Sequence, residues 1–291
     1  MPPPLTEHPP HRRAVLTGAA ILALAPTQVL AAARPRRIVS LNPCLDVILI
    51  RVADRSQIAA LSRYSRDRYG STIADEARSL PFTRGTTEEV LTLSPDLVLA
   101  DRWGGDRVAS ALARVGVRAE RFDVPETVAA SLAQVRQVAG LVGHPERGEA
   151  LIRSIQTTLS QTAARPGDRP VSALVFMPGG FASGAGTLMD EMMRRAGLEN
   201  AAARYGLSGS MSVPLERLIA DPPELLLTGA PYPGSPSWSE RTMEHPALAR
   251  LSPRMRRAVF PERLLFCGGP VLMQSARTLA AARRSVLEAR A

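Results

Sequence analysis

Glu88-Glu89-Val90-Leu91-Thr92-Leu93-Ser94-Pro95-Asp96-Leu97-Val98-Leu99-Ala100 carries two structural signals back to back. Its first half predicts a short helix. Thr86 and Thr87 are fair N-caps, and Glu88 and Glu89 place negative charge at the positive end of the helix dipole. Its second half is an unbroken apolar run behind a proline, as expected of a strand buried on both faces of a parallel sheet. The arrangement returns at Val213-Pro214-Leu215-Glu216-Arg217-Leu218-Ile219-Ala220-Asp221-Pro222-Pro223-Glu224-Leu225-Leu226-Leu227. Glu88 stands seven residues before Pro95, and Glu216 stands seven before Pro223. Each proline is followed by an acid and three apolar residues.

Working outward, Arg36–Leu41 is a β-type run stopped by Asn42-Pro43, and Leu45–Val52 starts a helix. Ile58–Leu61 and Arg118–Phe122 are further strands. Helices are expected over about 106–115 and 127–141. His144-Pro145-Glu146 then opens a long helix, with proline at its first position and a Leu151, Ile155, Leu159 stripe. It runs roughly 20 residues, about 30 Å, before Arg165-Pro166-Gly167-Asp168 stops it. The layout restarts with a buried strand at Val171–Met177, closed by Pro178-Gly179-Gly180, and a helix from Thr187 to Ala196. Alternating strands and helices mean α/β sheets. The chain is expected to form two related Rossmann-like lobes, 34–143 and 169–291, joined by one long helix within 144–168.

The preceding 33 residues read as an export signal. His11-Arg12-Arg13 leads into an uncharged apolar run, Ala14–Ala25, broken by Pro26 and followed by Ala31-Ala32-Ala33. The run is too short to span a bilayer core of roughly 30 Å. The arginine pair resembles a twin-arginine signal, and cleavage is expected near Ala33. No later stretch is long and apolar enough to span a membrane.

The chain of 291 residues has 36 basic residues, all arginine, against 27 acidic ones, for a net charge of +9. The arginines are scattered rather than gathered in a stripe, and aromatics are only 4% of the chain. That argues against a nucleic-acid partner. Catalytic patterns are missing too. Beyond the signal the histidines are His144 and His245, in no H-x-x-H or triad spacing that would hold a metal. Gly184-Ala185-Gly186 lacks the third glycine of a dinucleotide fingerprint, and Ser183 and Ser208 lack a G-x-S-x-G frame. The expectation is a protein that is not an enzyme and holds no resident cofactor or metal.

Several motifs, in order, resemble the periplasmic solute-binding proteins of ABC importers for vitamin B12, iron-siderophores and haem. They are Arg37-Ile38-Val39-Ser40-Leu41-Asn42-Pro43, Gly85-Thr86-Thr87-Glu88 through Ala100, and the long helix. Ser183-Gly184-Ala185-Gly186-Thr187, Ala196-Gly197-Leu198-Glu199-Asn200, and Glu216 through Leu227 follow. The resemblance covers nearly all of residues 36–285. It implies a ligand cleft between the lobes, a stiff helical spine and little movement on binding. It also implies a periplasmic monomer that captures cobalamin or a ferric siderophore and delivers it to a permease driven by its ATPase. Haem is the alternative cargo, and a ligand sensor or scaffold without transport is the alternative role.

The family meets arginines of its permease through one acid on each lobe, and Glu88 and Glu216 match those positions. Two separated carboxylates would orient the protein over the pore. Each alone reads equally as an acid favoured by a helix dipole. The cleft would be lined by Asn42, Cys44, Tyr64, Arg66, Arg84 and Trp103 from the first lobe. Phe181, Met211, Trp238, Cys267 and Gly269 would line it from the second. Aromatics there would give flat contact with a macrocycle. Arg66, Arg84 and Arg102, if they face the cleft, favour an anionic cargo. Cys44 and Cys267 each lie just past a strand. In an oxidising compartment they can form a disulfide; the alternatives are two buried thiols or thiol contact with the ligand.

Overall fold

Ile38, Val39 and Ser40 are wholly buried and form β1, the centre of the first sheet. In a computed structural model, which describes residues 1, 34–103, 105–229, 246–250 and 254–290, β1 pairs in parallel with two strands. These are β2 (Ile58–Ser62) on one side and β4 (Leu97–Asp101) on the other. Beyond them lie β3 (Phe82–Thr83) and β5 (Ala119–Phe122), giving the order β3-β2-β1-β4-β5, parallel throughout. The apolar run after Pro95 is thus β4, and residues 97–100 are fully buried as a two-faced strand requires.

The second sheet is centred on β6 (Val171–Phe176), buried along its whole length. The strands that follow are β7 (Phe181–Ser183), β8 (Leu198–Asn200), β9 (Ser210–Ser212), β10 (Leu225–Thr228) and β11 (Arg256–Val259). The order is β11-β10-β6-β7-β9, with β8 also paired to β6. β8, β10 and β11 run parallel to their neighbours, whereas β7 and β9 are antiparallel. One edge of β6 is therefore divided: β8 pairs its first residues and β7 its last.

The two proline–acid segments do the same job in each sheet. Asp96 accepts hydrogen bonds from the backbone N–H groups of Arg36 (2.7 Å) and Arg37 (3.0 Å) at the entry to β1. Glu224 accepts one from Ser172 N–H (3.0 Å) in β6. Each carboxylate fastens the start of its own strand to the start of the central strand, so the repeat seen in the sequence is one of hydrogen bonding as well.

The helices are α1 (Pro43–Val52), α2 (Ala74–Ala77), α3 (Thr87–Thr92), α4 (Asp106–Arg114), α5 (Val128–Leu141), α6 (Pro145–Thr162), α7 (Leu188–Arg195), α8 (Leu215–Ala220), α9 (Pro246–Ala249) and α10 (Val271–Glu288). Thr127 caps α5 by accepting from Ala130 N–H, and Thr187 caps α7 by accepting from Asp190 N–H. The long helix α6 has 18 residues, about 27 Å, and packs on α5 of the first half and α10 of the second. His144 precedes it, but its ring does not cap it. Nε2 lies 3.1 Å from both the Asp54 carboxylate and the Gln57 side-chain oxygen.

One apolar core runs through both halves. It includes Ile38 and Leu99, the inner faces of α1, α5 and α6, and Val171, Leu225, Val271 and Leu279. Each sheet has its own smaller cluster on the opposite face: Val39, Val90, Val98 and Leu112 in the first, and Leu174, Phe176, Leu218 and Leu226 in the second. Both sheets are thereby covered on both sides, as a doubly wound α/β fold requires. Among the described residues no helix is long and apolar enough to cross a membrane. The export-signal segment lies outside the described residues.

Candidate functional site

In open parallel sheets, ligands bind beyond the carboxyl ends of the strands. In the first sheet that edge carries Asn42 after β1, Tyr64 after β2, Arg84 after β3, Trp103 after β4 and Val124 after β5. Asn42 organises it. Its side-chain oxygen accepts from Cys44 N–H (2.8 Å) and caps α1, while its amide donates to Asp101 Oδ2 (2.9 Å) at the end of β4. Asp101 Oδ1 in turn accepts from Trp103 N–H (2.8 Å). The loops after β1 and β4 are thus joined through one amide–carboxylate contact.

Beside this contact lies a cavity of about 230 Å³, lined by Asn42, Cys44, Leu45, Asp101, Phe122, Asp123, Val124, Pro125, Gln134 and Phe266. Its polar walls are already engaged: Asn42 on Asp101, and Gln134, which donates to the Asp123 carbonyl (2.9 Å). The Asp123 carboxylate is paired with Arg102, and the rest of the lining is largely apolar. Two large apolar side chains of its lining stand out, Phe266 at 52% and Val124 at 56% exposed, and Trp103, on the loop after β4, is 84% exposed.

Cys44 and Cys267 are joined by a disulfide, so neither offers a thiol to a ligand. The bond links the first turn of α1 to the segment just before α10. The glycines that follow belong to the same seam. Gly269 N–H donates to Ser131 Oγ of α5 (2.6 Å), and a Cβ there would lie 2.9 Å from Ile48. A Cβ on Gly268 would lie 2.3 Å from Ser131 Oγ. Gly269 is therefore a packing residue, buried between helices, and does not line the cavity. On the same seam Glu191 of α7 accepts from Val128 N–H at the start of α5 (2.7 Å).

The remaining residues named from the sequence fall in different places. Phe181 is half-buried and its ring lies 5.9 Å from that of Phe266. Met211 is exposed on β9. Tyr64 is exposed, with the Arg63 guanidinium 4.7 Å from its ring centre. Arg66 turns back onto its own half. It stacks 4.3 Å over Phe82 and donates to the Leu80 carbonyl (2.5 Å). Arg102 pairs with Asp123 (2.8 Å), leaving Arg84 without a side-chain partner among the described residues. Trp238 and His245 lie outside the described residues. Phe266, Phe122, Val124 and Gln134 were not singled out from the sequence. Only the adjacency of Phe266 to Cys267 marked that segment.

Asp46 of α1 is the strongly perturbed acid near this edge. Burial pushes its pKa up from 3.8 to about 7, opposed by hydrogen bonds from Ser40 and Ser62. It accepts from Ser62 N–H and Ser62 Oγ (2.5 Å), holding α1 to the end of β2, where the Tyr64 turn begins.

Glu88 and Glu216 are both exposed in the first turns of short helices, α3 and α8. The neighbouring Glu89 is used internally: its carboxylate accepts from Arg84 N–H (2.8 Å) and its N–H donates to Thr86 Oγ1.

Two α/β sheets sharing a helical core, with exposed loops at the strand ends, make the fold two-lobed. The family profile described as periplasmic binding protein matches residues 38–253, and the chain belongs to that family. Solved structures agree on the fold. The apo periplasmic heme-binding protein RhuT of Roseiflexus sp. matches with a TM-score of 0.71 and 23% identity, over 86% of this chain and 98% of that one. A possible iron-binding periplasmic solute-binding protein of Staphylococcus epidermidis gives 0.70 and 16%, over 86% and 99%. The periplasmic vitamin B12 binding protein BtuF of Vibrio cholerae gives 0.64 and 18%, over 87% and 98%. No curated protein matches the chain.

Proposed function

We propose that this chain is the exported capture component of an ABC importer, binding a flat, metal-bearing chelate and handing it to a membrane permease. The observation that carries the reading is the cavity beside Asn42. Its polar walls are satisfied from within and its free surface is apolar and aromatic. Such a site suits a large conjugated ring better than a small polar solute, which would need unpaired donors and acceptors to recognise it. Family membership and the likeness to binding proteins for heme, vitamin B12 and iron support the same class.

On this reading residues 1–33 are the export signal, cleaved near Ala33, and the mature protein acts in the periplasm. Residues 34–143 and 169–291 are the lobes, and the segment 144–168 is the spine. Glu88 and Glu216 are the permease contacts, exposed at equivalent points of the two halves. Cobalamin or a ferric siderophore is the proposed cargo. Haem is the second reading, favoured by Arg84, which has no side-chain partner among the described residues and suits a propionate. The test is a binding screen of the purified protein against cyanocobalamin, haemin and a ferric catecholate siderophore. One-to-one binding of one of them is expected. Binding to none would defeat the proposal. A sensor would bind the chelate but fail to stimulate the ATPase of the importer.

A further inference from the structure

Phe266 is a large ring left half outside while its neighbours Leu264, Leu265 and Cys267 are all buried. It follows a short turn at Glu262–Leu264 and precedes α10. One side of the ring rests near Phe181, and the residue forms a wall of the cavity otherwise built from the first half. The segment that carries it is fixed from two directions. Cys267 is bonded to Cys44, which is itself held by the Asn42 cap of α1. Gly269 N–H donates to Ser131 Oγ of α5. A continuous path therefore runs from the end of β1, through the disulfide, to an aromatic ring of the other half.

We infer that Phe266 is a ligand-contact residue of the cavity and that the Cys44–Cys267 disulfide is its positioning device, holding the ring in place before the chelate arrives. This inference rests on the chelate-binding reading. The physical reason is pre-organisation: a ring and loop already ordered in the free protein lose little freedom on binding, so more of the contact appears as affinity. Cys44 also borders the cavity, but the disulfide's proposed effect is exerted through Phe266.

The experiment uses the oxidised full chain and three variants: Cys44→Ser with Cys267→Ser, Phe266→Ala with the disulfide intact, and all three together. Haemin and cyanocobalamin are the probes, and backbone hydrogen exchange is followed in parallel. The expected result is about tenfold weaker binding for the double serine variant and for Phe266→Ala. The triple variant should be no weaker than Phe266→Ala, because both changes act on the same ring. Exchange over residues 264–270 should quicken in the serine variant while β1 and β4 stay protected. Wild-type affinity in the serine variant, or fully additive losses, would overturn the inference and leave the chelate reading standing. If the wild type binds neither probe nor a ferric siderophore, the chelate reading fails and the assignment of Phe266 as a ligand-binding residue falls with it. Unchanged exchange over 264–270 would independently refute the positioning role.

Discussion

In the first half Asp96 gives both its oxygens to the entry of the central strand, whereas in the second Glu224 gives one to Ser172 N–H and the other to Arg290, past the end of α10. The frame is the same, and the longer side chain lets the second half also fasten the chain's C-terminal segment. The edges differ more. The first sheet is parallel throughout, and the loops at its strand ends build most of the cavity. The second inserts the antiparallel β7 and β9 and contributes Phe266, with Phe181 behind it. Repetition therefore preserves what holds a sheet together, while the loops at the strand ends differ.

The strongest way to break the comparison is to separate the halves. The disulfide closes a sequence separation of 223 residues, and the chain-entropy argument gives it about 5 kcal/mol as an upper figure. The serine double variant should show a clearly lower denaturant midpoint. If the halves then unfold in two separate steps, the shared core is weaker than the packing of α5, α6 and α10 implies.

Asp46 of α1 and Asp190 of α7 are both buried acids, but Asp190 accepts from Gly186 N–H and the Asn200 amide, whereas Asp46 holds α1 to Ser62. Its folded pKa, about 7, lies above the unfolded value of 3.8, so the native state keeps its proton longer than the unfolded state. The contribution is complete below about pH 4, is lost as pH rises towards 7, and is flat above that, amounting to about 4 kcal/mol at most. Unfolding free energies measured from pH 4 to 8 should therefore carry this downward slope, and Asp46→Asn should flatten it. An identical pH profile in the variant would show that Asp46 is ionised throughout.

Asp96→Ala and Glu224→Ala test the shared frame itself. Each should cost about 1–2 kcal/mol, and the two should add, since they sit in different sheets. Hydrogen exchange should quicken around β1 in the first variant and β6 in the second. The smallest change in stability belongs to Glu88→Ala with Glu216→Ala, below about 1 kcal/mol for each carboxylate taken away from a helix N-terminus. Chelate affinity should hold while uptake through the importer collapses. Uptake at the wild-type rate would remove the docking assignment.

The proline–acid repeat was legible because it is local: a cap, an acid, a proline and an apolar run lie within a few turns of chain. β4, β6, β10 and α5–α7 follow from such signals to within a residue or two. β7, β8 and β9 did not, because strands of three residues carry no alternation and exist only through their partners. Helix α10 does carry a readable stripe, with Leu272, Ala276, Leu279 and Val286 buried. At the site, Asn42 and Trp103 could be placed by their position after a strand. Gly269 and Arg66 could not, since their partners Ile48, Ser131 and Leu80 are set by tertiary packing. Phe266 is an ordinary apolar residue until the disulfide brings it to the first half.

The most direct test is a fluorescence titration of the wild-type protein with haemin, cyanocobalamin and a ferric siderophore, repeated on Trp103→Phe. The chain has two tryptophans, and Trp103, 84% exposed, follows β4 on the loop whose Asp101 lines the cavity. Saturable one-to-one quenching by one chelate is expected, with most of the signal vanishing in Trp103→Phe. Quenching by none of them, or quenching that never saturates, would contradict the assignment of this edge as a chelate site.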